Sequence, residues 1–248
     1  MEWISVISKG FGTESAVYGL LTLIKLGAVI LLKEDVYLAD LDQCRAVSEI
    51  PYENYLSEDE KERLNLITIP QSRNTMMLRR SLTRMIISSY LNCYPEKIRF
   101  NRNSYGKPSV LEPVTDLKFN LSHSGKYLIL ITDRNREAGI DIETAHSLKK
   151  RKYEVMESLY SPEESACYQS LSKTEQYQMF CRTWVMKEAV LKALSLGLTA
   201  DLGKISLPVA ADRSGSILTL DFYNAVLKIQ WIIREDSHIA IAYREEEI

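Results

Sequence analysis

One order of local signals runs through this 248-residue chain twice, the second time roughly a hundred residues after the first. Residues 36–39 read as a strand, and Ser57 with Glu60 three positions later opens a helix at capping-box spacing. The order returns at residues 139–143, a second strand, followed by Ser161-Pro162-Glu163-Glu164, which opens a helix with proline at its first position. A long helix comes next in each copy, at about 73–91 and about 177–195. Further strands are expected at 97–101 and 127–132 in the first copy, and at 204–207 and 238–243 in the second. A repeat of this length predicts an α+β fold of two similar α/β halves related by a pseudo-twofold axis, with a ligand site where they meet. The halves are drawn at residues 36–134 and 135–248, the second carrying the metal site argued below. Residues 1–35 are left as an N-terminal extension.

Within that extension, residues 16–32 are largely apolar but are interrupted by Lys25. They fall short of the about 20 residues that a membrane span needs, and neither a basic leader nor a small-residue cleavage site accompanies them. A packed helix or strand is therefore expected there. Hydrophobic residues make up 46% of the chain, enough for a buried core, and the net charge of −2 argues against a chain given over wholly to nucleic acid. The four cysteines, Cys44, Cys93, Cys167 and Cys181, form no C-x-x-C pair, which points to a reducing cytoplasm rather than to zinc or disulfides. Three histidines do not make a His-rich metal site.

The chemistry-bearing residues are unevenly spread. In Gly139-Ile140-Asp141-Ile142-Glu143 the two carboxylates lie two residues apart and emerge on one face of the strand. Such a face meets either water or a cation, and Mg2+ is the hard ion that takes one or two carboxylates and leaves its other positions to water and phosphates. Between Arg73 and Lys107 eight basic residues stand against one acid, Glu96. Arg73, Met77, Arg80 and Arg84 fall at i, i+4, i+7 and i+11 and form a ridge beside an apolar stripe. The turn Arg102-Asn103-Ser104-Tyr105-Gly106-Lys107-Pro108 adds two cations. Fixed cations of this kind suit a ligand with several phosphates or a solvated basic face. In Phe119-Asn120-Leu121-Ser122-His123-Ser124, Ser122 and His123 are neighbours that point to opposite sides of an extended strand, which disfavours a nucleophilic Ser/His pair. On the second long helix Met186, Ala189, Val190, Ala193 and Leu194 define the buried face. Trp184, Lys187, Glu188, Leu191 and Lys192 make the opposite stripe.

Four motifs in this order, Tyr105-Gly106-Lys107-Pro108, Phe119-Asn120-Leu121-Ser122-His123-Ser124, Gly139-Ile140-Asp141-Ile142-Glu143 and W-x-x-K-E-A-x-x-K from Trp184 to Lys192, closely resemble the 4'-phosphopantetheinyl transferase superfamily, Sfp type. The resemblance covers about residues 36–245. It implies the two-halved monomeric fold of that family, with coenzyme A and Mg2+ between the halves, and transfer of the phosphopantetheine arm to a serine of an apo acyl, peptidyl or aryl carrier protein. It further implies that Asp141, Glu143 and Glu188 bind Mg2+, that Glu188 also acts as the base, and that Lys192 faces the phosphates. Lys107, Ser122 and His123 would hold coenzyme A, and Arg73, Arg80 and Arg102 are matched more loosely to its phosphates. One departure is Ser195, which stands where the family's K-x-x-G-x-G-L ending commonly has glycine, while Gly197 and Leu198 are kept.

Two other classes share parts of this pattern. A metal-dependent phosphodiesterase or nuclease would combine the same acids with a basic ridge and would need no protein acceptor. A nucleic-acid-binding module would use the ridge from Arg73 to Arg84, although no aromatic residues are interleaved for stacking. No membrane partner is expected. A carrier protein is expected to dock along about residues 144–180, where Lys149, Lys150, Arg151 and Lys152 follow Leu148 and could steer an acidic partner.

Overall fold

The computed structural model describes residues 14–33, 35–91, 93–149, 158–197, 200–208 and 214–245. It is an α+β structure whose contacts divide it into two compact units. One holds the chain through Arg102 with Pro108–Leu117 and Lys126–Thr132. The other holds Asn103–Lys107, Lys118–Gly125 and everything from Asp133 onward.

The first unit begins with helix α1 (Glu14–Lys25) and strand β1 (Val29–Lys33), so the apolar stretch supplies both a packed helix and a strand. Strand β1 pairs antiparallel with β2 (Val36–Asp40), and β2 pairs with β6 (Tyr127–Asp133), setting Leu38 opposite Ile129. Helix α2 (Leu41–Ala46) is capped by the Asp40 carboxylate, which accepts from the backbone of Asp42 and Gln43. Helix α3 (Glu58–Asn65) follows, then the long α4 (Pro70–Ser88), a 3-10 turn at Pro95–Lys97 and the hairpin strands β3 (Arg99–Arg102) and β4 (Pro108–Glu112).

The second unit contains strands β5 (Lys118–Ser124) and β7 (Ala138–Thr144), helices α5 (Pro162–Ser170) and α6 (Lys173–Ala193), and a 3-10 turn at Leu202–Lys204. Its last three strands are β8 (Ile217–Phe222), β9 (Ala225–Arg234) and β10 (Ser237–Arg244). Its antiparallel sheet runs β7-β10-β9-β8. Helix α6 covers one face, burying Trp184, Val185, Ala189 and Val190 with Leu227, Ile229, Trp231, Ala240 and Ala242 of the sheet. The strand expected at 204–207 is absent. Ile205 N closes the 3-10 turn onto Leu202 O and Leu207 N donates to Glu164 Oε1, so that segment's backbone is spent on local and side-chain bonds. Strands β8 and β9 meet at Tyr223-Asn224, both at positive φ, the turn geometry that matches strand twist.

The repeat is visible as one polar device built in each unit. In α3, Glu60 sits three residues after its cap Ser57 and receives Arg84 of α4 at 2.5 Å. The same guanidinium donates to Pro95 O and Ile98 O around the 3-10 turn. In α5, Glu164 sits three residues after Ser161 and receives Lys187 of α6 at 2.5 Å, and that ammonium donates to Leu159 O and to Leu202 O of the second 3-10 turn. Both cations are buried, Arg84 at 3% and Lys187 at 0% exposure, which corrects the reading of either as part of a ligand-facing or solvent-facing stripe. Their carboxylate partners lie on another helix, which periodicity along a single helix cannot reveal.

Candidate active site

Strand β7 is buried along its whole length, so Asp141 and Glu143 do not lie on a solvated sheet face. Its backbone is met on one side by β10, which places Ala240 opposite Asp141 and His238 opposite Glu143. Strand β5 approaches β7 with side chains. Asn120, Ser122 and Ser124 share one face by strand alternation. Asn120 Oδ1 accepts from Ile140 N at 2.9 Å, Ser122 Oγ donates to Asp141 Oδ1 at 2.7 Å, and Ser124 Oγ donates to Glu143 Oε2 at 2.7 Å. The F-N-L-S-H-S motif is thus a comb that orients both carboxylates. Ser122 is buried and His123 is exposed, on opposite sides as the strand period requires.

Helix α6 is seated on β7 by Gly139. A Cβ at that position would lie 2.0 Å from Ala189 O and 2.3 Å from Ala193 N, so only glycine lets the helix backbone come this close. The seating brings Lys192 over the strand, where its ammonium donates to Asp141 Oδ1 at 2.6 Å and to Ile140 O at 3.2 Å. Glu188 lies one helical turn earlier and is 8% exposed. Among the described residues no three His, Cys, Asp or Glu side chains gather closely enough to hold an ion. Asp141 Oδ2, however, is buried with no hydrogen-bond partner among the described residues. An unsatisfied buried acceptor costs about 1–3 kcal/mol, so this oxygen calls for a donor or a cation. A hard ion that needs one or two carboxylates and otherwise keeps water and phosphate ligands fits that donor set.

The other expected residues are placed as follows. Lys107 Nζ donates to Glu137 Oε2 and Lys192 O, both at 2.9 Å, and to Ala138 O at 3.5 Å. In the first unit, Arg73 pairs with Glu53 and Arg80 with Glu60, each at 3.2 Å, and Arg102 is exposed at the end of β3. The ridge is therefore engaged with acids. Lys149 is exposed, while Lys150, Arg151 and Lys152 lie outside the described residues. Sequence reasoning missed His238, which faces Glu143 across the β7–β10 ladder and stacks on Trp231 at 5.9 Å between centroids. Burial holds its imidazole below the ordinary histidine range. The alternation Ile239, Ile241 on one face of β10 was the signal that would have put His238 on the other, with Asp141 and Glu143 across from it.

Helix α6 ends in a Schellman motif. Leu196 N donates to Leu191 O at 3.0 Å and Ser195 N to Lys192 O at 3.3 Å, with Ser195 at φ 58°. That left-handed position explains why glycine is common there, since a side chain costs about 1–2 kcal/mol in it. Ser195→Gly is expected to stabilise the protein by about 0.5–1 kcal/mol, a rise of a few degrees in Tm measured by differential scanning calorimetry. An unchanged or lower Tm would refute strain at this cap.

Two family models match the chain. Residues 137–243 match the 4'-phosphopantetheinyl transferase superfamily, and residues 50–135 match the 4'-phosphopantetheinyl transferase N-terminal model. The chain is 31% identical over 172 residues to 4'-phosphopantetheinyl transferase HetI of Nostoc sp., covering 66% of this chain and 69% of that protein. It is 29% identical over 164 residues to 4'-phosphopantetheinyl transferase Sfp of Bacillus subtilis, covering 66% and 71%. The L-aminoadipate-semialdehyde dehydrogenase-phosphopantetheinyl transferase of Rattus norvegicus is 25% identical over 202 residues, covering 78% and 63%.

Proposed function

Since the chain belongs to the 4'-phosphopantetheinyl transferase superfamily, we propose that it moves the 4'-phosphopantetheine arm of coenzyme A onto a serine of an apo carrier protein and releases 3',5'-ADP. The observation that carries this reading is the buried Asp141 carboxylate, held by Lys192 and Ser122 inside the segment that matches the family model. We assign the chain to the Sfp type, acting as a monomer in the cytoplasm. The four free cysteines agree with a reducing compartment, and no helix among the described residues is long and apolar enough to cross a membrane.

In the proposed reaction the serine Oγ forms a bond to the β-phosphorus of coenzyme A while the bond to the 3',5'-ADP oxygen breaks. Glu188 takes the hydroxyl proton, directly or through one water. Of Asp141, Glu143 and Glu188, one or two would bind Mg2+ directly and the others through its water ligands, and the ion when bound would offset the charge that builds on the pyrophosphate. Ser122 and Ser124 keep two of those carboxylates in place, and Lys192 supplies a cation on the same side of α6 as Glu188. His123, Ser122 and Lys192 are proposed to border the coenzyme. The Lys107 ammonium, expected to hold coenzyme A, donates instead to Glu137 Oε2 and Lys192 O, so Lys107 is not proposed as a phosphate contact.

Incubation with coenzyme A, Mg2+ and a panel of apo carrier proteins tests the reading. Each accepted carrier gains the mass of one phosphopantetheine, with one equivalent of 3',5'-ADP. Release of 3',5'-ADP without any modified carrier would instead identify a phosphodiester hydrolase, and no reaction with any carrier would overturn the proposal.

A further inference from the structure

We propose that the ammonium group of Lys107 is a positioning element for the transfer chemistry, clasping the last turn of α6 to the start of β7 and so setting Lys192 against Asp141. The inference rests on the transferase reading above. A lysine has three hydrogens to donate, and those of Lys107 are directed to Glu137 Oε2, to Lys192 O and, at greater length, to Ala138 O. None is left over for a ligand phosphate. Glu137 and Ala138 stand at the entry to β7, and Lys192 O, which accepts from Ser195 N at 3.3 Å in the helix cap, keeps a second lone pair for the ammonium. A cation there also meets the negative end of the helix dipole. The carbonyl that Lys107 grips belongs to the same residue whose side chain grips Asp141, so clasp and ion pair share one backbone unit.

The turn is built to deliver this ammonium. Asn103 Oδ1 accepts from both Tyr105 N and Lys107 N, at 3.0 and 2.9 Å, and Asn103 N donates to Lys107 O at 3.0 Å. Tyr105 then lies against Gly197 just past α6, where an added Cβ would come within 3.0 Å of the tyrosine side chain. Asn103–Lys107 accordingly groups with the second unit, although both strands of its hairpin group with the first. Because a displacement of about 1 Å at a reacting group can cost on the order of a hundredfold in rate, a loosened helix end should act on turnover more than on coenzyme A binding.

Lys107→Met and Glu137→Gln test the clasp, compared with wild type by transfer kinetics and by amide hydrogen exchange of residues 192–196. Lys107→Met is expected to lower kcat at least tenfold with the KM for coenzyme A within threefold, and to speed exchange in the last turn of α6. Glu137→Gln, which keeps the lysine, should show the same pattern at about threefold and decides the matter if Lys107→Met does not fold. In a Lys192→Met background the loss of Lys107 should change kcat less than threefold, which a merely structural role would not produce. A tenfold rise in KM with kcat held would make the ammonium a coenzyme A contact and overturn the inference, as would unchanged exchange and kinetics. If the wild-type protein transfers nothing to any carrier, the transferase reading is what fails, and hydrogen exchange still decides whether the clasp exists.

Discussion

Asp141→Asn and Glu188→Gln are each expected to lower the transfer rate at least a hundredfold, a loss of about 2.7 kcal/mol of transition-state stabilisation, while the thermal midpoint moves only a few degrees. Two hydrogen bonds converge on Asp141 Oδ1, from Ser122 and Lys192, while its buried Oδ2 has no hydrogen-bond partner among the described residues and suits a hard cation. The amide keeps the size and most of the hydrogen bonding of the carboxylate but removes the charge. Lys192 retains 26% side-chain exposure, so water can take up its ammonium and folding is little affected. Glu188→Gln removes the proton acceptor without changing the helix. Coupled measurement of 3',5'-ADP release and carrier mass gives the rates, and activity within tenfold of wild type for either variant would sink the site assignment.

The second large effect is on stability. Lys187→Met is expected to destabilise the protein by about 3–5 kcal/mol in urea unfolding, because it strands the Glu164 carboxylate, itself 1% exposed, without its cation. Lys187→Met combined with Glu164→Gln should cost clearly less than the sum of the two single changes, since the buried charge is then gone from both sides. Additive losses would show that the pair is not coupled. Burial pulls the Lys187 ammonium below its ordinary lysine range. The unfolded chain therefore binds more protons in the window up to 10.5, and this residue's contribution to stability rises with pH through that window. Lys187→Met should lack that rise.

Wherever a rule of period or capping applies to a few consecutive residues, it could be read without a structure. The strand period placed Asp141 and Glu143 on one face and separated Ser122 from His123. The Ser57–Glu60 spacing and the proline of Ser161-Pro162-Glu163-Glu164 located two helix starts, and the structure forms a capping box at both. The hairpin of β8 and β9 was equally open to this reading, since its strands alternate and Asn224 tolerates positive φ, but its signal went unused.

Partnership was decided only by tertiary structure. The sequence determined that Arg84 and Lys187 point to particular sides of their helices. It could not determine that Glu60 and Glu164, some 23 or 24 residues earlier, wait on those sides and turn each cation inward. Periodicity fixes the direction of a side chain about its own helix axis, whereas its charge state and role depend on which element packs over that direction. For the same reason Lys192 could be placed one turn from Glu188, but its pairing with Asp141 follows from the close seating of α6 on β7 that Gly139 alone permits.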